Sequence, residues 1–282
     1  MAKIADIEAH AGTPKAHVIA EGKGWSVHEV LCNSGPKDRP FEEQHANYSV
    51  SLVLGGTFQY RSTHGRELMS PGSVLLGNAG HNFECSHEHG VGDHCLSFQY
   101  SREYFATLAG SPGDSNRLFR LSRLPAMRSL SPVFTRACAA ALQSKESDWE
   151  DISLQLAANV LDAAQGPWSR IENTAAAEAR VTRVLRMIEQ SPDATLDLNL
   201  LAHEAKLSLY HFLRLFQRLT DVTPHQYILR MRLRKAAMRL TLDGSNIIDI
   251  AGDCGFGDVS NFNRAFRAEF GMSPRRHRQS RR

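Results

Sequence analysis

At 282 residues, with 42% hydrophobic and 22% charged residues, the chain has ordinary globular composition and length for about two domains of roughly 150 residues each. It has no apolar run of about eighteen residues, and its start, Met1-Ala2-Lys3-Ile4-Ala5-Asp6-Ile7-Glu8, lacks the basic-then-apolar shape of a signal peptide. Membrane insertion and secretion are therefore not expected, and a cytoplasmic protein is. The net charge of +3 is split: residues from Glu178 onward carry 18 basic against 11 acidic side chains, and residues 1–177 carry 15 against 19. A basic half beside an acidic one suits a polyanion-binding module joined to a domain with another task.

The first 105 residues alternate short β-type segments with turn residues. Strands are expected at Trp25–Cys32, Tyr48–Leu54, Thr57–Ser62, Ser73–Leu76 and Cys95–Tyr100, separated by Gly55-Gly56, His64-Gly65 and Pro71-Gly72. Short strands at this spacing predict a small antiparallel barrel or jelly roll. After Ser111-Pro112-Gly113 the period changes, and 132–143 and 152–164 read as helices, with Val133, Phe134, Ala137, Leu154, Leu156, Val160 and Leu161 at helical spacing. Gly166-Pro167 ends the second, so the chain divides into a domain at 1–165, a linker at 166–178 and an all-helical domain at 179–282. The alanines at 174–179 are equally able to extend the next helix.

The helical half contains two imperfect copies of one pattern, 201–224 and 250–274. Fifty residues apart, Phe212 matches Phe262, Arg214 matches Arg264, Phe216 matches Phe266, Thr223 matches Ser273 and Pro224 matches Pro274. Helices 198–205 and 209–219 would bury Leu201, Ala202, Ala205, Phe212, Leu215, Phe216 and Leu219. The second copy would bury Ile247, Ile250, Ala251, Phe262, Ala265, Phe266 and Phe270. Thr223-Pro224-His225-Gln226 has the chemistry of a capping box with proline at the first helical position, and Ser208, Asn246 and Asp258 can cap three further helices. Between the copies, 225–240 predicts a strut about 24 Å long at roughly 1.5 Å per residue. Its cations Arg230, Arg232, Arg234, Lys235 and Arg239 are candidates for phosphate contact or for surface ion pairs.

Two helix-turn-helix units on such a strut could enter successive major grooves. Their outward faces carry Tyr210, His211, Leu213, Arg214, Gln217 and Arg218 in the first copy, and Val259, Ser260, Asn261, Asn263, Arg264 and Arg267 in the second. Arginine pairs twice with guanine, asparagine twice with adenine, and Leu213 or Val259 can meet a thymine methyl. An ordinary solvated face is the competing reading for any one of them; Arg214 and Arg264, at one register in both copies, stand above the rest.

Residues 180–282 resemble the DNA-binding domain of the AraC/XylS family of bacterial transcription regulators. The similarity rests on Ile250-Ala251-Gly252-Asp253-Cys254-Gly255-Phe256-Gly257-Asp258-Val259-Ser260-Asn261-Phe262-Asn263-Arg264-Ala265-Phe266 and on Phe270-Gly271-Met272-Ser273-Pro274. The resemblance implies base contacts from Tyr210, Leu213, Arg214, Val259, Ser260, Asn263 and Arg264. It also implies a small-molecule effector bound by a cupin-like amino-terminal barrel, a homodimer formed through helices 132–164, and contact with RNA polymerase if the protein is an activator. Asp221 departs from the family pattern, standing where a glycine usually ends the first reading helix, and Leu213 is less polar than is common at a base-reading position.

The expected fold class is thus α+β, a cupin-like antiparallel barrel with two helices followed by an all-α domain with two helix-turn-helix motifs. The expected function is sequence-specific binding of double-stranded DNA for transcription regulation, without enzymatic activity. A second reading comes from Cys85-Ser86-His87-Glu88-His89-Gly90-Val91-Gly92-Asp93-His94-Cys95. Cys85, His87, His89, His94 and Cys95 could bind zinc or another transition metal or sense oxidants, which would make the first domain a metal or redox sensor, or a metal-dependent cupin enzyme, fused to a DNA reader. The same segment also reads as one polar hairpin with a glycine-rich turn. The usual cupin ligand set is broken, its nearest equivalents being His45, Asn47 and His81. Five scattered cysteines do not suggest a disulfide framework.

Overall fold

The central amino-terminal strands, Tyr48–Gly56 and Asp93–Tyr100, bury both faces, and that double burial sets the architecture. The computed structural model describes residues 14–109, 119–143, 148–166, 168 and 173–279. Within them, β1 (Lys15–Gly22), β2 (Trp25–Cys32), β4 (Tyr48–Gly56), β7 (Val74–Gly77), β9 (Asp93–Tyr100) and β10 (Arg123–Leu124) form one antiparallel sheet in the order β1-β2-β9-β4-β7-β10. A second sheet, also antiparallel, orders β3 (Phe41–Gln44), β8 (Asn82–Ser86), β5 (Phe58–Ser62) and β6 (Gly65–Met69) as β3-β8-β5-β6. Alternation along β4 and β9 decides what each face meets. Tyr48, Val50, Leu52, Leu96, Phe98 and Tyr100 point to the helices α1 (Arg102–Leu108), α2 (Ser131–Leu142) and α3 (Trp149–Ala163), joining Val133, Ile152, Leu156 and Val160 in the main core. Val53 and Cys95 turn inward instead, toward Phe58, Tyr60, Met69, Leu75 and Cys85 of the barrel interior.

All five expected strands are present, shifted at their ends by up to two residues. The reading of 85–95 as one hairpin is corrected. β8 pairs with β3 and β5, whereas β9 pairs with β2 and β4, so residues 87–92 cross from one sheet to the other. Leu154, one of the apolar positions at helical spacing, is exposed, because α3 uses the Ile152, Leu156 and Val160 stripe.

The carboxy-terminal half contains α4 (Ala175–Gln190), α5 (Leu198–Glu204), α6 (Leu209–Thr220), α7 (Pro224–Leu242), α8 (Ile247–Asp253), α9 (Val259–Phe270) and α10 (Pro274–Gln279). The alanines extend α4, which starts inside the stretch read as linker. Two cores share α7. Val181, Leu185, Leu201, Phe212, Phe216 and Tyr227 make one, and Leu233, Ala237, Ile250, Ala251, Phe262 and Phe266 make the other. The duplication survives in the packing: the Phe212–Phe216 and Phe262–Phe266 ring pairs have centroids 5.7 and 5.5 Å apart. The caps form as the sequence indicates. Thr223 and Gln226 make a reciprocal capping box at the start of α7, and Ser208, Asn246 and Asp258 each accept from the first turn of their helices.

The two halves are in contact along a long seam. Tyr227 donates from its hydroxyl to the Pro71 carbonyl at 3.1 Å, Arg66 pairs with buried Glu178 at 2.7 Å, and the Gly56 amide donates to Glu189 at 2.8 Å. Arg123 pairs with Asp221, and the Ser131 hydroxyl donates to Glu269 in the last turn of α9. Arg234 lies buried between α7 and α2, its guanidinium 4.4 Å from the centroid of the Phe134 ring. Gly72, at φ +90°, leaves the room that Arg234 occupies; a Cβ there would strike the guanidinium.

Candidate nucleic-acid interface

Helices α6 and α9 each have one stripe committed to the core and another left polar. On α6, Tyr210, Arg214, Gln217 and Arg218 are exposed, with Tyr210 63% accessible; on α9, Ser260, Asn261, Asn263, Arg264 and Arg267 are exposed. Leu213 and Val259 are half-buried, and Leu213 packs against the first core. The paired arginines are both held by a residue one turn back. Arg214 Nη1 donates to the Tyr210 hydroxyl at 3.2 Å, and Arg264 Nη2 donates to Asn261 Oδ1 at 3.1 Å. Such bonds limit guanidinium rotation before any ligand arrives, which lowers the ordering cost of a bidentate contact. The N-caps act at the same end: Asp258 accepts from both Ser260 and Asn261 amides, fixing the first turn of α9.

The strut's cations are used differently from the phosphate contacts considered for them. Arg232 donates to three carbonyls, of Pro192, Ala194 and Gly255, and so ties the α4–α5 connection to the α8–α9 turn. Arg230 donates to Ala126, Lys235 pairs with Asp193, and Arg239 pairs with Asp243 and Asp253. With Arg234 buried, all five serve internal contacts. Arg218, Arg267, Arg275 and Arg276 are instead exposed and make no side-chain hydrogen bond or ion pair among the described residues. The sequence could not show this, because the carbonyls that occupy Arg232 are contributed by remote loops.

In the amino-terminal domain the five expected metal ligands are not brought together. His94 Nε2 binds Glu29 at 2.9 Å, His89 lies 3.8 Å from Glu88, and Cys85 and Cys95 sit in the apolar barrel interior. Only His87 stays in a cluster of three possible ligands among the described residues, with Cys32 and Asp93, their ligand atoms all within 4.8 Å of one another. His87 Nε2 is 2.7 Å from Asp93 Oδ2. Burial opposes the charged imidazole, but hydrogen bonds to Asp93 and Cys32 outweigh it and raise the His87 pKa to about 9. Burial also works against the Cys32 thiolate, yet hydrogen bonds with His87 and Ser34 hold that thiol below its ordinary value. Cys32 and Asp93 were beyond sequence reading because they meet only through strand pairing. His45 is committed to a hydrogen bond with the Tyr60 hydroxyl at 2.8 Å and a stack on Phe83, and with Asn47 and His81 it forms no ligand cluster among the described residues.

Comparison with known proteins agrees with this geometry. Residues 201–280 match the family model described as a helix-turn-helix domain. The chain is 36% identical over 113 residues to the HTH-type transcriptional activator RhaS of Citrobacter koseri, covering 40% of this chain and 41% of that protein. RhaS of an Escherichia coli O139:H28 strain is 36% identical over 110 residues, and the match covers 40% of its length. The chain therefore spans about two fifths of the curated relatives it matches. A transcriptional regulator with an AraC-type DNA-binding domain from Chromobacterium violaceum aligns at 26% identity with a TM-score of 0.36, covering 38% of this chain and 96% of that one. The fold joins a β-rich half to a helical half with two helix-turn-helix units, and the family match lies within the second half. The matched segment is thus similar to the helix-turn-helix region of the RhaS activators.

Proposed function

We propose that this protein is a sequence-specific, duplex-DNA-binding transcription regulator, with α6 and α9 entering successive major grooves. The observation that carries the reading is the equivalent placement of Arg214 and Arg264, each outward, each held by a neighbour, on two helices joined by one strut. Tyr210, Leu213, Arg214, Gln217 and Arg218 would read or approach one groove, and Val259, Ser260, Asn261, Asn263, Arg264 and Arg267 the next. Leu213 and Val259 have reach for a methyl contact only, being half-buried. Phosphate neutralisation falls to Arg218, Arg267, Arg275 and Arg276 and not to the strut. The barrel would take a small-molecule effector, acting by favouring one seating of the two domains over another.

A homodimer through α2 and α3 would use their outer surface, where Leu142 and Leu154 are exposed, because α7 and α9 occupy another side of α2. Contact with RNA polymerase would follow if the protein activates, as RhaS is named to do. No helix among the described residues is long and apolar enough to cross a membrane, and a DNA reader would work in the cytoplasm. Selection from randomised duplexes with the full chain tests the reading. Enrichment of a bipartite motif, its parts about one helical turn apart, is expected; recovery without any sequence preference would overturn it.

A further inference from the structure

We propose that Cys32, His87 and Asp93 form a site for one divalent, thiol-seeking transition-metal ion of the zinc class. The site is assembled by the sheet. Cys32 ends β2, Asp93 begins β9, and the two are paired in register, while His87 directly follows β8 of the other sheet. Their ligand atoms lie within 4.8 Å of one another. A tetrahedral ion with bonds of about 2.0–2.3 Å needs ligands about 3–4 Å apart, a separation that side-chain adjustment alone can reach. Thiolate, imidazole and carboxylate together suit zinc and its soft neighbours, not magnesium or calcium, which demand oxygen shells. With the imidazole neutral their summed charge balances a dication, so the ion would be buried without residual charge.

The surroundings are built for a small occupant. The His87 and Asp93 side chains are 1% and 8% exposed, and Cys32 is buried. Residues 87–92 run close to Cys32 and Thr57 at two glycines. Gly92 has φ +68° and a Cβ there would lie 2.7 Å from the Cys32 carbonyl, while one on Gly90 would lie 2.8 Å from Thr57. His87 Nδ1 is buried and makes no hydrogen bond to a described group outside the cluster. Beside Asp93 opens a cleft of about 360 Å³, lined in part by Gly56, Thr57, Gly92 and Glu189, which offers entry and room for a fourth, water-derived ligand. Cys95 Sγ, 3.4 Å from Asp93 Oδ1, is the nearest further thiol that the hydrogen bonding identifies.

The test is titration of the reduced, chelator-stripped full chain with Co²⁺, followed by displacement with Zn²⁺. Thiolate-to-cobalt charge-transfer absorption is the readout, and equilibrium dialysis gives the stoichiometry. One ion per chain is expected, with the charge-transfer band lost in Cys32→Ser, affinity roughly tenfold or more weaker in His87→Gln and Asp93→Asn, and both unchanged in Cys138→Ser and His94→Gln. Absence of the band in the unmodified chain, or its persistence in Cys32→Ser, would overturn the site. The unmodified chain alone decides the first point, so a variant that fails to fold does not rescue the proposal.

Discussion

Arg232 and Arg264 belong to the same basic half, yet their surroundings give them opposite uses. Arg232 holds three carbonyls at 2.6–3.0 Å, and burial lowers its pKa. Arg264 is exposed with one bond to its own helix. Replacing Arg232 with alanine leaves those acceptors unmatched and is expected to cost about 2 kcal/mol of stability, read by denaturant unfolding. Arg264→Ala should leave stability within about 0.5 kcal/mol and weaken the selected duplex by about 1–3 kcal/mol relative to random DNA. Equal losses on both duplexes would remove Arg264 from base reading. His45 offers a pH prediction. Burial, with His81 nearby, lowers its pKa from near 6.5 to about 4. A histidine depressed on folding contributes stability that is intact above its unfolded pKa and is lost as pH falls through the folded value. The chain should therefore lose stability between about pH 6.5 and pH 4, and His45→Gln should flatten the midpoint-against-pH curve in that window; an unchanged slope would show that other groups govern it.

At the scale of elements, the turn after α6 shows how a local departure is compensated from a distance. Asp221 is left-handed, at φ +58°, where the equivalent turn after α9 uses Gly271 at φ +72°. A non-glycine residue there costs about 1 kcal/mol, but the Asp221 carboxylate meets Arg123 of the barrel domain. Asp221→Gly gains backbone freedom and loses the pair, so the melting temperature is expected to change little, whereas Asp221→Ala, lacking both advantages, should lower it by several degrees. The sequence disclosed the helical half well. Caps at Ser208, Thr223, Asn246 and Asp258, and aromatic pairs four residues apart, are local signals, and the helices followed them. Strands β1, β3, β6, β8 and β10 and the short α1 escaped, because the edge strand β1 is mostly exposed, β10 has two residues, and pairing across sheets leaves no local mark. The same limit hid the site triad: sixty residues separate Cys32 from Asp93, and only their register across β2 and β9 makes them neighbours.

At the scale of the whole molecule, the seam between domains is polar where it is most deeply buried. Arg234 has buried Nε and Nη1 atoms without hydrogen-bond partners, a long contact to Ser131 at 3.5 Å, and the charge of Glu269 nearby. A buried ion so incompletely paired adds little net stability, and an apolar replacement of similar volume is often neutral or better. Arg234→Met is expected to hold or raise the melting temperature, whereas Glu269→Ala, which strands the guanidinium, should cost about 3 kcal/mol; the reverse order would show the pair to be a net source of stability. The seam also touches both motifs, through Asp221 behind α6 and through Glu269 at the end of α9. The amino-terminal half thus acts as a splint across α6 and α9, fixing their pitch at points the strut alone does not control. Loosening either fastening, with α7 intact, should widen the range of gaps between half-motifs that the protein accepts, so that the amino-terminal domain becomes a determinant of site geometry without touching a base.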